Sequence, residues 1–428
     1  MRFSLSLIST GLALWAQTVS SLTLSRRSSQ DLSFDYSNSK VRGVNLGGWL
    51  VLEPYITPSL FEPFRTNSYN DDGIPVDEYH YTQALGKEEA LARLQTHWQT
   101  FYTEQDFIDM AAYGLNHVRI PIGYWAFQLL DNDPYVQGQE AYMEKALEWA
   151  RAAGLKAWID LHGVPGSQNG FDNSGLRDTL EWSYTQSSLD MSIGIIKYLA
   201  EKYGGDNYSD VVTGIELVNE PLGPALDMDV VKNYFTEGFW TVRGTGSNTG
   251  VIIHDAFQPM HYWDGFMDMP TYWHVILDHH HYQVFSDGEL ARSIEEHIGN
   301  ACELGWATQS ENLWRVVGEW SAALTDCAPW LNGVGNGARW DGTFAKGTSL
   351  SNNCWPHNDV TAWSEEFRYN YRRYIEAQLD SYDQGAGWIF WCYKTENALE
   401  WDFVKLTENK LFPQPLDERW FPNQCRYY

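Results

Sequence analysis

Basic residues are scarce in this chain of 428: 29 Lys and Arg stand against 56 Asp and Glu, a formal net charge of −27. A protein that neutralises phosphates needs basic stripes, and none occurs, so a nucleic-acid partner is excluded. The acidic surface suits a neutral substrate and mildly acid surroundings. Beyond the N-terminus no segment reaches the ~18 uninterrupted apolar residues of a membrane helix, so no membrane partner is expected of the mature chain. No internal repeat, low-complexity tract or linker rich in Pro, Gly or Ser divides the sequence. Cysteine is limited to five residues, none in a CxxC or Cys/His spacing, and no HExxH occurs, so neither a metal nor a cofactor is implied.

The first stretch, "MRFSLSLISTGLALWAQTVSSLTLSRR", has an early Arg, a short apolar run and then small residues. It reads as a secretory leader, with Arg26-Arg27 as a dibasic processing site. Residues 1–27 are then absent from the mature protein, 28–428 form a single domain, and the product is secreted, extracellular or in the cell wall. In an oxidising compartment five cysteines allow two disulfides and one left over. Cys392 lies inside the strand-like "GWIFWCYK", where a buried thiol is ordinary. Cys302, Cys327, Cys354 and Cys425 are the pairing candidates. The sequon "NYS" places a surface glycosylation site at Asn207.

Aromatic residues are abundant, at 15 % of the chain with 21 Trp and 25 Tyr. Flat apolar faces with a polar handle suit stacking on sugar rings as well as core packing. Eight runs read as buried strands: "VRGVNLGGWL", "LNHVRIPIG", "LKAWIDLHG", "GIELVNEP", "GVIIHDAF", "HVILDHHHY", "LWRVVGEWS" and "GWIFWCYK". Helical patterns lie between most of them, such as "EAYMEKALEWARAAG", with Tyr142, Ala146, Leu147 and Ala150 on one face and a stop at Gly154. Eight such units predict an α/β fold, a single (β/α)8 TIM barrel with elaborated βα loops. A doubly wound sheet would carry a phosphate loop after its first strand, and "GVNLGG" runs into "WLVLEP" rather than into a helix.

In such a barrel the C-terminal strand ends form the active face. Here those ends carry Arg119, His162, Asn219-Glu220, His280 with Tyr282, Glu319 and Trp391. Glu220 and Glu319 end different strands. Two facing acids are what glycosidic bond cleavage requires: one protonates the leaving oxygen, the other meets the positive charge at the anomeric carbon. Glu216, an even number of residues before Glu220, is expected lower in the barrel in a structural role. Three consecutive histidines, His279–His281, suggest a metal site, but on a strand the outer two face away from His280.

The set "VRGVNLGGWLVLEP", "VRIPIGYW", "LVNEP", "HHHYQVF", "GEWS" and "GWIFWCYKTEN", from Val41 onward, resembles glycoside hydrolase family 5, within it the fungal secreted exo-β-1,3-glucanases. The resemblance implies hydrolysis of terminal glucose from a β-glucan with retention, with transglycosylation as a companion reaction; a monomer is expected. It implies Glu220 as acid/base, Glu319 as nucleophile, and Asn219 on the sugar 2-OH. Arg119 and Tyr282 would hold Glu319 ionised, and His162 and His280 would bind hydroxyls. Trp391 would floor the subsite, with Trp388 as the neighbouring alternative. Glu53 would grip the outer hydroxyls, and Phe171 and Phe285 would flank the entrance beside Asp172. The implied bridges are Cys302–Cys425 and Cys327–Cys354. The segment "TDCAPWLNGVGNGARWDGTF" belongs to the rim that shapes acceptor preference, so it bears on linkage. Other readings are an endo-glucanase, a β-1,6- or other β-glucosidase on the same scaffold, or a non-catalytic carbohydrate-binding wall protein.

Overall fold

A computed structural model describes residues 32, 34–309, 311–357 and 359–428, the side chain of residue 427 excepted. The expected leader, residues 1–27 with Arg26-Arg27, lies outside the described residues. Each of the eight apolar runs contains a strand: β1 (Val41–Asn45), β2 (His117–Gly123), β3 (Lys156–Gly163), β4 (Val212–Glu216), β5 (Gly250–His254), β6 (Val275–His281), β7 (Trp314–Trp320) and β8 (Gly387–Phe390). All neighbours pair in parallel, and β1 pairs with β8, which closes the sheet into a barrel in sequence order.

Parallel strands need long crossovers, and these are supplied by α1 (Glu104–Ala112), α2 (Gln139–Ala153), α3 (Gln186–Tyr203), α4 (Met228–Gly244), α5 (Ile294–Thr308) and α6 (Glu365–Tyr382). The β5-to-β6 link carries no helix. Helix α2 stops at Gly154, whose φ of 77° is the left-handed cap that glycine adopts without steric cost. Its buried face is Met143, Ala146, Leu147 and Ala150, with Tyr142 only half-buried, so the apolar stripe sits one residue round from the expected one.

Strand parity then sorts the side chains. Val118, Ile120, Ile122, Ile159 and Leu161 face outward into the large apolar cluster shared with the helices. A separate cluster of Val41, Trp158, Ile252, Ile276, Val316 and Ile389 fills the barrel interior near the strand starts. Along β3 the inward positions run Trp158, Asp160, His162, so the interior changes from apolar to polar within two steps. Fully burying each such aliphatic side chain stabilises the fold by about 1.5–3 kcal/mol, which offsets the cost of the buried polar layer above it. Two disulfides, Cys302–Cys425 and Cys327–Cys354, tie α5 to the C-terminal segment and close the long loop after β7; Cys392 is a buried free thiol.

Candidate active site

The polar layer is organised by Arg119, fully buried on β2. Its Nε donates to Glu216 Oε2 (2.7 Å), Nη1 to Glu319 Oε1 (2.8 Å) and Asn45 Oδ1 (3.0 Å), and Nη2 to Asn219 Oδ1 (2.7 Å). Asp160 Oδ2 lies 3.2 Å from Nη2. Arg119 is the third residue of β2 rather than its C-terminal end, and its one fixed fork links that strand to β1, to β4 and the turn after it, and to β7, which a flexible ammonium could not do. Glu216 sits in this layer as a partner of Arg119, below the chain's exit to Glu220.

Above it stand the two glutamates. Glu220 follows β4 with φ 45°, a left-handed backbone that costs a non-glycine residue about 1–3 kcal/mol and turns its side chain out of the strand's alternation. Asn173 Nδ2 donates to Glu220 Oε2 (3.0 Å), and Tyr282 Oη donates to Glu319 Oε2 (2.8 Å). His280 Nδ1 lies 2.8 Å from Glu220 Oε1 and 3.4 Å from Glu319 Oε2. Laid end to end, those two distances stay below the ~6.5 Å at which inverting acid pairs begin. The carboxylates are almost enclosed, with side chains 7 % and 4 % exposed.

Burial pushes Glu319 above the usual carboxylate range, against the pull of His280 and Arg119. Burial works to raise Glu220 too, but the hydrogen bond and charge of His280 and the Asn173 amide hold it at about 2. Taken alone, these shifts place a proton more readily on Glu319 than on Glu220, the reverse of the roles implied by resemblance. The hydrogen bonds weigh the other way. Glu319 has a guanidinium that cannot give up its charge and a phenol that only donates to it. The low value at Glu220 depends on a proton that His280 can surrender. Burial lowers His280, yet Glu319, Asp278 and Glu220 together raise it well above the usual imidazole range, so the sugar-free site keeps its mobile proton there.

Around the pair lie polar atoms with no hydrogen-bond partner among the described residues: Glu53 Oε1, His162 Nε2, Asp172 Oδ2 and Asn219 Nδ2. Burial, then repulsion from Asp172, Glu319 and Glu220, raises Glu53 well above its usual range, and burial lifts Asp172 to about 7. The Trp391 ring lies parallel to His162 (5.6 Å between centroids, 7° between planes) and its Nε1 donates to Tyr55 Oη. Trp388 instead packs outside the barrel against Trp320 and Phe412, away from the site. Phe171 and Phe285 are exposed, but the ring beside Phe171 is Phe257 (6.5 Å), while Phe285 stands against Tyr282 and Trp401. Asn207 is exposed.

Sequence reasoning missed several members of this site. Asp160 and Asp278 each lie two residues before a named histidine on the same strand face, and that parity could have found them. Asn45 ends β1 but stands in the middle of the first run, where nothing marked the strand's stop. His254 and Phe257 come from the end of β5, and Asn173 and Gln168 from the loop after β3. Gln168 Nε2 donates to the carbonyls of His162 (2.8 Å) and Asn219 (2.9 Å), pinning two strand ends together; nothing local marks it.

A closed parallel barrel with two glutamates brought together above its polar layer defines a (β/α)8 glycoside hydrolase. Residues 82–334 match the family model for cellulase, glycosyl hydrolase family 5, and the chain belongs to that family. It is 58 % identical over 415 residues to a glucan 1,3-beta-glucosidase of Yarrowia lipolytica, covering 96 % of this chain and 97 % of that protein. Similarity to glucan 1,3-beta-glucosidase I/II of Saccharomyces cerevisiae is 54 % over 421 residues, 96 % and 94 % of the two chains. The crystal structure of rutinosidase from Aspergillus niger shares the fold, with a TM-score of 0.69 at 19 % identity over 89 % of this chain and 99 % of that one.

Proposed function

We propose that the protein removes terminal glucose from β-1,3-glucans by a retaining double displacement, with Glu319 as nucleophile and Glu220 as acid/base. The observation that carries this reading is the pair itself: two nearly enclosed carboxylates, both within 3.4 Å of one imidazole nitrogen. Their closeness supports retention, and their enclosure supports a pocket that takes a chain end, since an open cleft would leave them exposed. The names of the relatives support the β-1,3 linkage.

In the first step Glu319 attacks the anomeric carbon while Glu220 gives its proton to the leaving oxygen. In the second, Glu220 takes a proton from water, the water oxygen bonds the anomeric carbon, and Glu319 departs. A sugar hydroxyl in place of that water gives transglycosylation. Arg119 and Tyr282 keep Glu319 ionised and aimed. Asn219, its oxygen tied to Arg119, presents Nδ2 to the sugar 2-OH, a contact that strengthens toward the transition state. His162, His280 and Glu53 take further hydroxyls, Trp391 forms the floor, and Phe171 and Phe285 line the mouth beside Asp172. The leader, the two disulfides and exposed Asn207 support a secreted, glycosylated enzyme acting outside the cell or in the wall.

Proton NMR of laminarin digestion tests the reading. β-Glucose should appear first, from chain ends. Initial α-glucose, or internal oligosaccharides, would overturn retention or exo action respectively. Glu319→Gln should abolish turnover while leaving the fold intact.

A further inference from the structure

Beneath the catalytic pair runs a file of groups, His280 and Asp278, to which the mechanism above gives no part in moving a proton. His280 Nδ1 contacts Glu220 Oε1 at 2.8 Å, and its Nε2 faces Asp278 Oδ2 at 3.5 Å. Neither Nε2 nor Oδ2 has a hydrogen-bond partner among the described residues, and both side chains are fully buried, so each is the nearest unspent polar atom for the other. Asp278 is held in place from β7, where the Gly318 N–H donates to its Oδ1 (2.7 Å). The fit is tight: a Cβ on Gly318 would lie 2.1 Å from Oδ1 and 2.3 Å from Oδ2. The glycine of "GEW" is therefore required by a carboxylate on the neighbouring strand. The β6/β7 register also shifts there, with His279 opposite Val317 and His280 opposite Glu319.

Other charged or titratable groups face the same imidazole. Glu216, from β4, offers an atom within 4.8 Å of Asp278 and His280. Glu319, from β7, lies 3.4 Å from Nδ1. His254, from β5, sets its ring edge-on at 4.3 Å. Its Nδ1 accepts the Ala256 N–H (2.8 Å), and burial holds it at about 4, so it stays neutral. Arg119, from β2, is 3.8 Å from Asp278 and committed elsewhere.

A neutral imidazole carries its proton on one nitrogen only, and the partner of the other nitrogen chooses which. We propose that Asp278 is a positioning residue for acid catalysis: it keeps a proton on His280 Nε2, so that Nδ1 is the atom that hands a proton to Glu220. The transfer breaks the Nδ1–H bond and forms the Glu220 O–H bond, turning the charged imidazole and ionised Glu220 into a neutral pair. Glu220 then protonates the leaving oxygen. Water restores the proton to Glu220 in the second step, from which it returns to Nδ1, so no outside donor is consumed. The inference rests on Glu220 being the acid, and it explains how a carboxylate held low at rest can donate.

Asp278→Asn tests it. The amide oxygen still accepts from Gly318, while the –NH2 now faces Nε2 and forces the neutral proton onto Nδ1, where it cannot relay. Inverting a tautomer in this way costs up to ~10⁴ in rate in a serine-protease triad. Measured on aryl β-glucosides of graded leaving group, kcat/KM should fall about 100-fold or more for poor leaving groups, and under tenfold for dinitrophenyl glucoside, which needs little protonation. An equal fall across the series, or none, overturns the proposal. Nitrogen-15 NMR of His280 in the wild type is independent of whether the variant folds: on deprotonation Nε2 should keep its proton, and loss from Nε2 overturns the relay. Glu220→Gln run alongside separates the two claims. Leaving-group selectivity in that variant but not in Asp278→Asn sinks the relay alone; its absence from both sinks the acid assignment.

Discussion

Arg119→Lys keeps the positive charge of the polar layer and removes its geometry. The guanidinium reaches four side-chain acceptors within 3.0 Å: Glu216, Glu319, Asn45 and Asn219. A lysine ammonium ends near the Cζ position, short of Nη1 and Nη2, and in settling on Glu216 it leaves Glu319 and both asparagines. Losing the bond to Glu319 costs about 1.5–3 kcal/mol, and losing those to the two asparagines about 1 kcal/mol each. The total, about 3.5–5 kcal/mol, falls within the cost of breaking a buried ion pair. With an unfolding entropy of ~2.1 cal/mol/K per residue over about 400 residues, Tm should fall by ~4–6 °C. Activity should fall much further, by about 100-fold or more, because the fork aligns both Glu319 and Asn219. With the cation farther off, Glu319 rises further above its ordinary range and is ionised only at higher pH, so the acid limb of kcat/KM moves upward. Calorimetry and a pH–rate profile read all three effects. A lysine variant that melts within a degree of the wild type and keeps its rate would show that charge alone organises the site.

Two further tests address packing and titration. Trp391→Ala removes the ring that stacks on His162 and should lower kcat/KM about 10- to 100-fold through terminal-sugar binding; unchanged kinetics would take Trp391 out of the pocket. Burial lifts Glu400 from 4.5 to about 7, so the folded state holds its proton more tightly than the unfolded chain does. That contribution is full below pH 4.5 and is lost as pH rises through about 7. Relative to the wild type, Glu400→Gln should therefore gain in Tm between pH 5 and pH 7.5; a difference that does not change with pH would refute the shift.

Much of this was readable along the chain. Each strand announced itself by a short β-branched or aromatic run bounded by Gly, Pro or Asn, and α2 by its 3.6-residue stripe and Gly154 stop. The later residues of those runs supplied His162, Asn219, Glu220, His280, Glu319 and Trp391, and the middle of the second supplied Arg119. The β5 end carries no glutamate after its strand to mark it, and its one acid, Asp255, is spent on His279 (2.8 Å). Asp278 was hidden within "DHHHY", where three histidines drew attention away from the residue two before His280. Trp391 and Trp388 could not be separated, because an inward and an outward indole look alike until the partners Trp320 and Phe412 are known.

Local chemistry sets which segments become strands, since side-chain alternation and turn residues act over a few positions. It also put an acid at the end of two of them. Whether those acids meet is a long-range matter. It follows from β1 closing on β8, from the register shift at Gly318 that sets His280 beside Glu319, and from one arginine joining residues as far as 200 positions away. Such pairings depend on the three-dimensional closure of the ring, and no short stretch of sequence encodes them.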